Sequence, residues 1–342
     1  MAESTYRVGV LGATGAVGST ILEVLARRNF PAGEVVAFAS GRSAGKQVPF
    51  AGGELTCVVP DEETIQGIDI LISSAGGSVS AEWAPKFSEA GAVVVDNTSY
   101  WRMHEDVPLI VAEVNPEAAK AHKGIIANPN CTAMVMLLAL APIHREAGLE
   151  RLILSSYQAV SGTGQKAIAE LTEQSGQVLN CEEIDDPKVY PHQIAFNVIP
   201  QVETFKDGDD YTTEERKVMA ETRKILGLGD EVKISVTCAR VPVFTGHSES
   251  LNIETREDLS PERAREILAA AENVIVVDDP ADGRYPTSLD AAGRDETLVG
   301  RIRRDPGQER CLNLWLAGDN LRKGAATNAV QVAELLVEND WL

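Results

Sequence analysis

Hydrophobic and polar positions alternate in two different rhythms along the chain. Over the first 130 residues, short apolar runs of strand type recur at Tyr6–Leu11, Val35–Ala39, Ile68–Ser73 and Ala92–Asp96. Between the first two lies Ser19–Arg28, whose Ile21, Val24 and Leu25 stand at helical spacing. Strands separated by helices predict right-handed crossovers and a mostly parallel sheet. After Cys131 the order changes. Met134–Ile143 is apolar throughout and predicts a buried helix, while Leu152–Gln158, Lys233–Val243 and Glu249–Glu254 read as strands. Glu214–Leu226 and Pro261–Glu272 read as helices, and Gln177–Asp186 and Ala281–Asp295 as long surface loops. Gly324–Val337 predicts a last helix with Ala329, Val332, Ala333, Leu336 and Val337 on one side. The pattern predicts an α/β chain. A parallel-sheet domain spans residues 1–130 and is completed by the helix within 323–342, and an α+β domain with a mixed sheet spans 131–322.

Composition narrows the function. A chain of 342 residues buries a sizeable core in two domains. Its longest apolar run is about half the ~20 residues a membrane helix needs. A strand begins within six residues of the start, which leaves no room for a secretory signal, so a cytoplasmic protein with no membrane contact is expected. The net charge of −20 repels phosphate backbones and argues against nucleic acid as a partner. An anionic ligand must then be held by locally placed basic side chains or helix N-termini. The five cysteines, at 57, 131, 181, 238 and 311, lack CxxC spacing and form neither a disulfide framework nor a metal site.

Gly12-Ala-Thr-Gly15-Ala-Val-Gly18 lies between the first strand and the first helix. Small residues there let backbone approach a pyrophosphate, and the helix N-terminus supplies donors. Gly12, Ala13, Thr14, Gly15, Ala16 and Val17 are thus expected to hold a dinucleotide in a Rossmann-type domain. The second strand ends in Ser40-Gly-Arg42-Ser43-Ala-Gly-Lys46, without the acid that holds an NAD ribose. Ser40, Arg42 and Ser43 suit a 2′-phosphate instead, so NADP(H) is the expected cofactor.

Asn128-Pro-Asn130-Cys131-Thr132 precedes the apolar helix. Pro129 disfavours helix at Asn128, and Asn130 is a good N-cap. Cys131 then falls in the first turn, where the helix dipole stabilises a thiolate. Cys57, Cys238 and Cys311 stand in β-type runs and Cys181 in an acidic loop, so Cys131 is the candidate nucleophile.

At this point the chain resembles the aspartate-β-semialdehyde dehydrogenase family. The resemblance rests on the two glycine- and serine-rich segments above, on Asn128-Pro-Asn-Cys-Thr132, and on four more segments. These are Ser73-Ser-Ala-Gly76, Asp96-Asn-Thr-Ser99, Ser156-Tyr-Gln-Ala-Val-Ser-Gly162 and Gly318-Asp-Asn320. It implies NADPH-dependent reduction of L-aspartyl-4-phosphate to L-aspartate 4-semialdehyde with release of phosphate, serving lysine, threonine and methionine biosynthesis through a Cys131 thioester. It implies His247 as acid–base group and Gln158 as orienting group. Arg240 would bind the substrate carboxylate, Glu214 its ammonium, and Lys217 and Arg102 the phosphate, with Asn130 also at the substrate. Ser74, Ala75, Gly76, Ser161, Gly162 and Asn320 would meet the nicotinamide half of the cofactor. The residues alone read Glu214 and Lys217 as an exposed helix pair, with Thr212 and Glu215 as a capping box. The resemblance also implies that 131–322 is a catalytic and dimerisation domain, giving a homodimer or a homotetramer. Two other readings remain open: an N-acetyl-γ-glutamyl-phosphate reductase, which normally has Gly where Asn130 stands, and a non-catalytic NADP-binding redox sensor.

Overall fold

A computed structural model describes residues 5–342. The chain forms two compact units, one ending at Asn130 and resumed over Ala325–Leu342, the other Cys131–Gly324.

The first unit opens with β1 (Tyr6–Leu11), α1 (Ala16–Arg27) and β2 (Ala32–Phe38). A hairpin, β3 (Gln47–Phe50) and β4 (Gly53–Thr56), follows, then β5 (Ile70–Ser73), α2 (Gly77–Glu89), β6 (Val93–Asp96) and β7 (Ile125–Ala127). The sheet is wholly parallel in the order β2-β1-β5-β6-β7, as the alternation of strands and helices predicts. α1 buries Ile21, Leu22, Val24 and Leu25 against it. The hairpin and β7 fall where the sequence shows only a polar turn and a short apolar stretch. Three or four residues are too few for a period to register.

The second unit begins with α3 (Cys131–Ala147) and β8 (Leu149–Gln158), then α4 (Gln165–Leu179), α5 (Thr213–Leu226), β9 (Lys233–Arg240) and β10 (His247–Thr255). α6 (Pro261–Ala269), β11 (Val274–Val276), the short α7 (Ser288–Ala291), β12 (Thr297–Arg304) and β13 (Cys311–Gly318) complete it. The sheet order is β11-β12-β13-β10-β8-β9, parallel at β8–β9 and β11–β12 and antiparallel between, hence mixed. Every residue of α3 from Thr132 to Ala141 is buried, which is why its sequence shows no polar stripe. Two expected loops are partly helical: α4 runs on to Leu179, and α7 sits inside Ala281–Asp295.

A π-helical segment at Arg322–Thr327 carries the chain from the second unit into the first, where α8 (Asn328–Glu338) follows. Ala329, Val330, Val332, Ala333 and Leu336 of α8 join the core that α1 covers. Gly18 is where α1 crosses the preceding turn: a Cβ there would lie 2.1 Å from the Gly12 carbonyl oxygen. Since backbone cannot swing aside, Gly18→Ala is expected to destabilise the protein by about 3 kcal/mol or more in urea unfolding, beyond the usual overpacking range.

Candidate active site

Alternate residues of a strand share a sheet face, and the face of the second sheet that meets α3 is graded in polarity. Its first row reads Arg240 on β9, Gln158 on β8 and His247 on β10, with Gly318 of β13 opposite His247. Two residues back, the row is Cys238, Ser156, Glu249 and Leu316. Two further back it is wholly aliphatic: Val236, Leu154, Leu251 and Leu314. The chemistry is therefore confined to one margin of an otherwise apolar face. Gly318 lets α3 close on it, since a Cβ would stand 2.6 Å from Val135.

Cys131 is the first residue of α3 and only part-buried, and its Sγ lies 3.2 Å from His247 Nε2. The other ring nitrogen, Nδ1, accepts the backbone N–H of Ala159 at 3.0 Å. The Ala159 carbonyl accepts from Arg240 Nη1 at 2.7 Å. Gly162 stands against both side chains: a Cβ there would be 3.3 Å from Arg240 Nη1 and 3.6 Å from His247 Nε2. Full burial, helped by the Arg240 charge, pushes the His247 imidazole well below its ordinary range, so it is neutral at physiological pH. Burial pushes the Cys57, Cys238 and Cys311 thiols up, which leaves them inert.

Gln158, the last residue of β8, donates to Thr132 Oγ1 at 2.6 Å and to Glu214 Oε1 at 3.1 Å. Glu214 is buried, 4% exposed, so the expectation of an exposed helix pair is corrected. Lys217 reaches Glu203 at 2.5 Å and stays 4.0 Å from Glu214. Thr212 and Glu215 do form the capping box, and Glu215 also accepts the Cys238 N–H at 2.8 Å. Asn320 fastens two segments, bonding Ser161 Oγ at 2.9 Å and accepting the Gly246 N–H at 3.0 Å, directly before His247.

In the first unit, Gly12, with φ +89°, turns the chain from β1 towards α1, and a Cβ would meet the Ser74 carbonyl at 2.9 Å. Ala13, Thr14 and Gly15 complete the turn, and Ala16 and Val17 begin α1. The N-caps of α1 and α2 are Gly15 and Gly76, so no side chain caps the first amides of either helix. Ser74 and Ala75 lead from β5 into that second helix. Ser40 and Arg42 are exposed and Ser43 half-exposed in a short 3-10 turn after β2.

Arg102 is buried, and its guanidinium donates to the Asn128 carbonyl (2.9 Å) and the Asn97 carbonyl (2.9 Å). The loop that carries it is tied to Asp96 at the end of β6. Asp96 accepts the Thr98 amide at 2.9 Å and the Ser80 hydroxyl at 2.6 Å, and Ser80 Oγ accepts the Trp101 indole N–H at 2.9 Å. Asn128 donates to Asn97 Oδ1 and accepts from Asn328 of α8, fixing the strand that leads through Asn130 to Cys131. Asn130 is itself buried.

Sequence reasoning did not single out Ala159, Gly324, Asp96 or Glu249. Ala159 acts through backbone, which no side-chain pattern reveals. Gly324 was read only as the start of a helix, yet a Cβ there would be 3.0 Å from that of Cys131. Asp96 lay within a quoted motif without a stated role. Glu249 is 0% exposed, and neither carboxyl oxygen has a hydrogen-bond partner.

Sequence and structure comparisons agree on one class of enzyme. Residues 7–122 match the model for the semialdehyde dehydrogenase NAD binding domain and 140–323 that for the semialdehyde dehydrogenase dimerisation domain. The chain is 53% identical to the aspartate-semialdehyde dehydrogenase of Aquifex aeolicus, covering 97% of this chain and 98% of that one. It is 46% identical to the Bacillus subtilis enzyme of the same name, covering 96% of each. The crystal structure of aspartate semialdehyde dehydrogenase II complexed with ASA from Vibrio cholerae superposes with a TM-score of 0.95 at 44% identity, covering 98% and 99%. That of the Candida albicans enzyme with NADP superposes with a TM-score of 0.76 at 25% identity, covering 99% and 100%. These matches define an oxidoreductase of the semialdehyde dehydrogenase class. Within it, the chain belongs to the aspartate-semialdehyde dehydrogenase family.

Burial without partners pushes the Glu249 carboxyl well above its ordinary range, so it is protonated in the folded protein. The unfolded chain releases that proton above pH ~4.3, so folding stability falls as pH rises from there towards the raised folded value. Replacing the acid by a similar-sized apolar chain removes this loss. Glu249→Met is expected to gain about 1 kcal/mol or more of unfolding free energy at pH 8 over its effect at pH 4, measured by urea titration at both.

Proposed function

We propose that the chain reduces L-aspartyl-4-phosphate to L-aspartate 4-semialdehyde with release of phosphate, through a thioester on Cys131. The observation that carries this reading is the Cys131 sulfur, at the first residue of a buried helix and 3.2 Å from a neutral imidazole. A helix N-terminus stabilises a thiolate, and a thiolate is the nucleophile an acyl phosphate needs. Sulfur attacks the acyl carbon, the carbon–sulfur bond forms, and the carbon–oxygen bond to phosphate breaks. Of the residues around it, Gln158 orients the acyl group, Arg240 binds the α-carboxylate and Glu214 the ammonium. Lys217, Arg102 and Asn130 serve the phosphate and acyl portion.

The first unit suits a dinucleotide: its glycine turn has no room for a Cβ at Gly12, and two helix N-termini lack side-chain caps. Gly12–Val17 would hold the pyrophosphate, and Ser40, Arg42 and Ser43 a 2′-phosphate, with no acid on that turn to prefer NAD. Ser74, Ala75 and Gly76, with Ser161, Gly162 and Asn320 of the second unit, would serve the nicotinamide end. NADPH supplies the hydride that reduces the thioester. The matched dimerisation domain supports a second copy of this chain as partner, in a homodimer or a homotetramer. No helix among the described residues is long and apolar enough to cross a membrane, and a cytoplasmic place in lysine, threonine and methionine biosynthesis fits the substrate.

Two substitutions test the reading. Cys131→Ala should lower phosphate-dependent reduction of NADP by aspartate semialdehyde at least about a thousandfold, with NADP affinity within about twofold; surviving turnover contradicts the covalent route. Arg42→Ala should raise KM for NADP about tenfold and leave KM for NAD unchanged, measured by initial rates.

A further inference from the structure

Between α4 and α5 the chain runs on without a regular helix or strand, and an irregular stretch must find partners for its backbone amides elsewhere. Residues 188–195 find them on two side chains of α4. Glu170 accepts the amides of Lys188 and Val189, both at 2.7 Å, and that of Tyr190 at 3.4 Å. Gln174, one helical turn further on, accepts those of Ile194 at 2.9 Å and Ala195 at 3.2 Å. Both of these polar side chains are buried. Ile194, Ala195 and Ile199 pack with Ala167 and Leu171 of α4 into one apolar cluster. The strap so formed ends on Arg240 itself. Ile199 donates its N–H to the Arg240 carbonyl at 3.0 Å and accepts the Arg240 N–H at 2.8 Å.

What the strap delivers is Tyr190. The Arg240 Cζ lies over the Tyr190 ring, 5.9 Å from its centroid. That is within the range of about 6 Å over which the face of an aromatic ring attracts a cation. The Tyr190 hydroxyl donates to Thr163 Oγ1 at 3.1 Å, in the turn that also carries Gly162. Burial pushes this phenol above its ordinary range, so the group beside the guanidinium is a neutral ring and not a phenolate. The guanidinium itself is only partly engaged. Its Nη1 donates to the Ala159 carbonyl, while its Nε is buried with no hydrogen-bond partner among the described residues. An acid in the place of Tyr190 would occupy that open edge of the fork. A ring face holds the cation and takes none of its donors.

We propose that Tyr190 is a positioning residue, whose ring, carried by the strap, orients the Arg240 fork towards the substrate α-carboxylate. This rests on the reading of Arg240 as the group that binds that carboxylate. An arginine side chain has several rotatable bonds, and a fork fixed in advance loses less freedom when the anion arrives. The effect belongs to substrate binding and not to the covalent steps, because Tyr190 reaches the site only through Arg240. Glu170 and Gln174, on a helix that supplies no group to the reaction, thereby contribute to affinity for one end of the substrate.

Initial rates with NADP and phosphate test it. Tyr190→Leu and Tyr190→Met both remove the ring face while filling much of its volume, so either serves if the other does not fold. Each should raise KM for aspartate semialdehyde about tenfold, with kcat and KM for NADP within about twofold of the parent. Tyr190→Phe keeps the ring and loses the hydroxyl, and should hold that KM within about twofold. The second substrate is 3-aminopropanal, which is aspartate semialdehyde without its α-carboxylate. Its kcat/KM should change by less than about twofold in the Leu and Met variants. An unchanged KM for aspartate semialdehyde in these variants overturns the proposal, and so does an equal rise in Tyr190→Phe. A similar loss of kcat/KM with 3-aminopropanal also overturns it, since that marks a general packing role. Failure of the underlying reading looks different: Arg240→Ala would then leave the preference for aspartate semialdehyde over 3-aminopropanal intact.

Discussion

The contact between the Cys131 sulfur and the His247 ring, 3.2 Å long, depends on how closely one helix can lie on one sheet. α3 is apolar on all sides and brings its first residue to the polar margin of the face only because two positions lack side chains. A Cβ at Gly318 would strike Val135, and one at Gly324 would crowd the Cβ of Cys131 at 3.0 Å. Interiors are close-packed, so adding even a methyl group at either point would push the helix away. The nucleophile thus owes its setting to glycines as much as to the reactive side chains.

The grading of the sheet face explains how a strongly polar site survives in the core of the second unit. Its aliphatic row supplies burial, and the outermost row gathers Arg240, Gln158 and His247, each held by at least one hydrogen bond to a neighbour or to backbone. Glu249 in the intermediate row is a buried acid with no hydrogen bond to either carboxyl oxygen, and carrying a proton is its remedy. In the first unit the same economy of polar groups holds the loop of Arg102. Asp96, Ser80, Trp101 and the Asn97–Asn128–Asn328 chain leave little freedom between β6 and the residue before the nucleophile.

Much of this is legible in the residues. The parallel sheet followed from four apolar runs, and Cys131 at the mouth of α3 followed from Pro129 and Asn130 before an apolar stretch. The Thr212–Glu215 capping box is a local pattern and was read as such. What was not legible is what depends on tertiary packing. Glu214 and Lys217 look like an exposed pair because spacing cannot show that Glu214 turns under Gln158 while Lys217 turns to Glu203. The Ala159 amide, which donates to the His247 ring, belongs to a residue whose side chain says nothing about it. The β3–β4 hairpin and β7 are too short for a period, and the π-helical start of the last helix has no sequence signature.

The central claim is that Cys131 carries the acyl group between two half-reactions. Intact-protein and peptide mass spectrometry after mixing the enzyme with aspartate semialdehyde and NADP, without phosphate, tests it most directly. The account predicts one acyl adduct on the peptide containing Cys131, formed together with one equivalent of NADPH and discharged when phosphate is added. NADPH formed in that equivalent with no adduct on this peptide would contradict it.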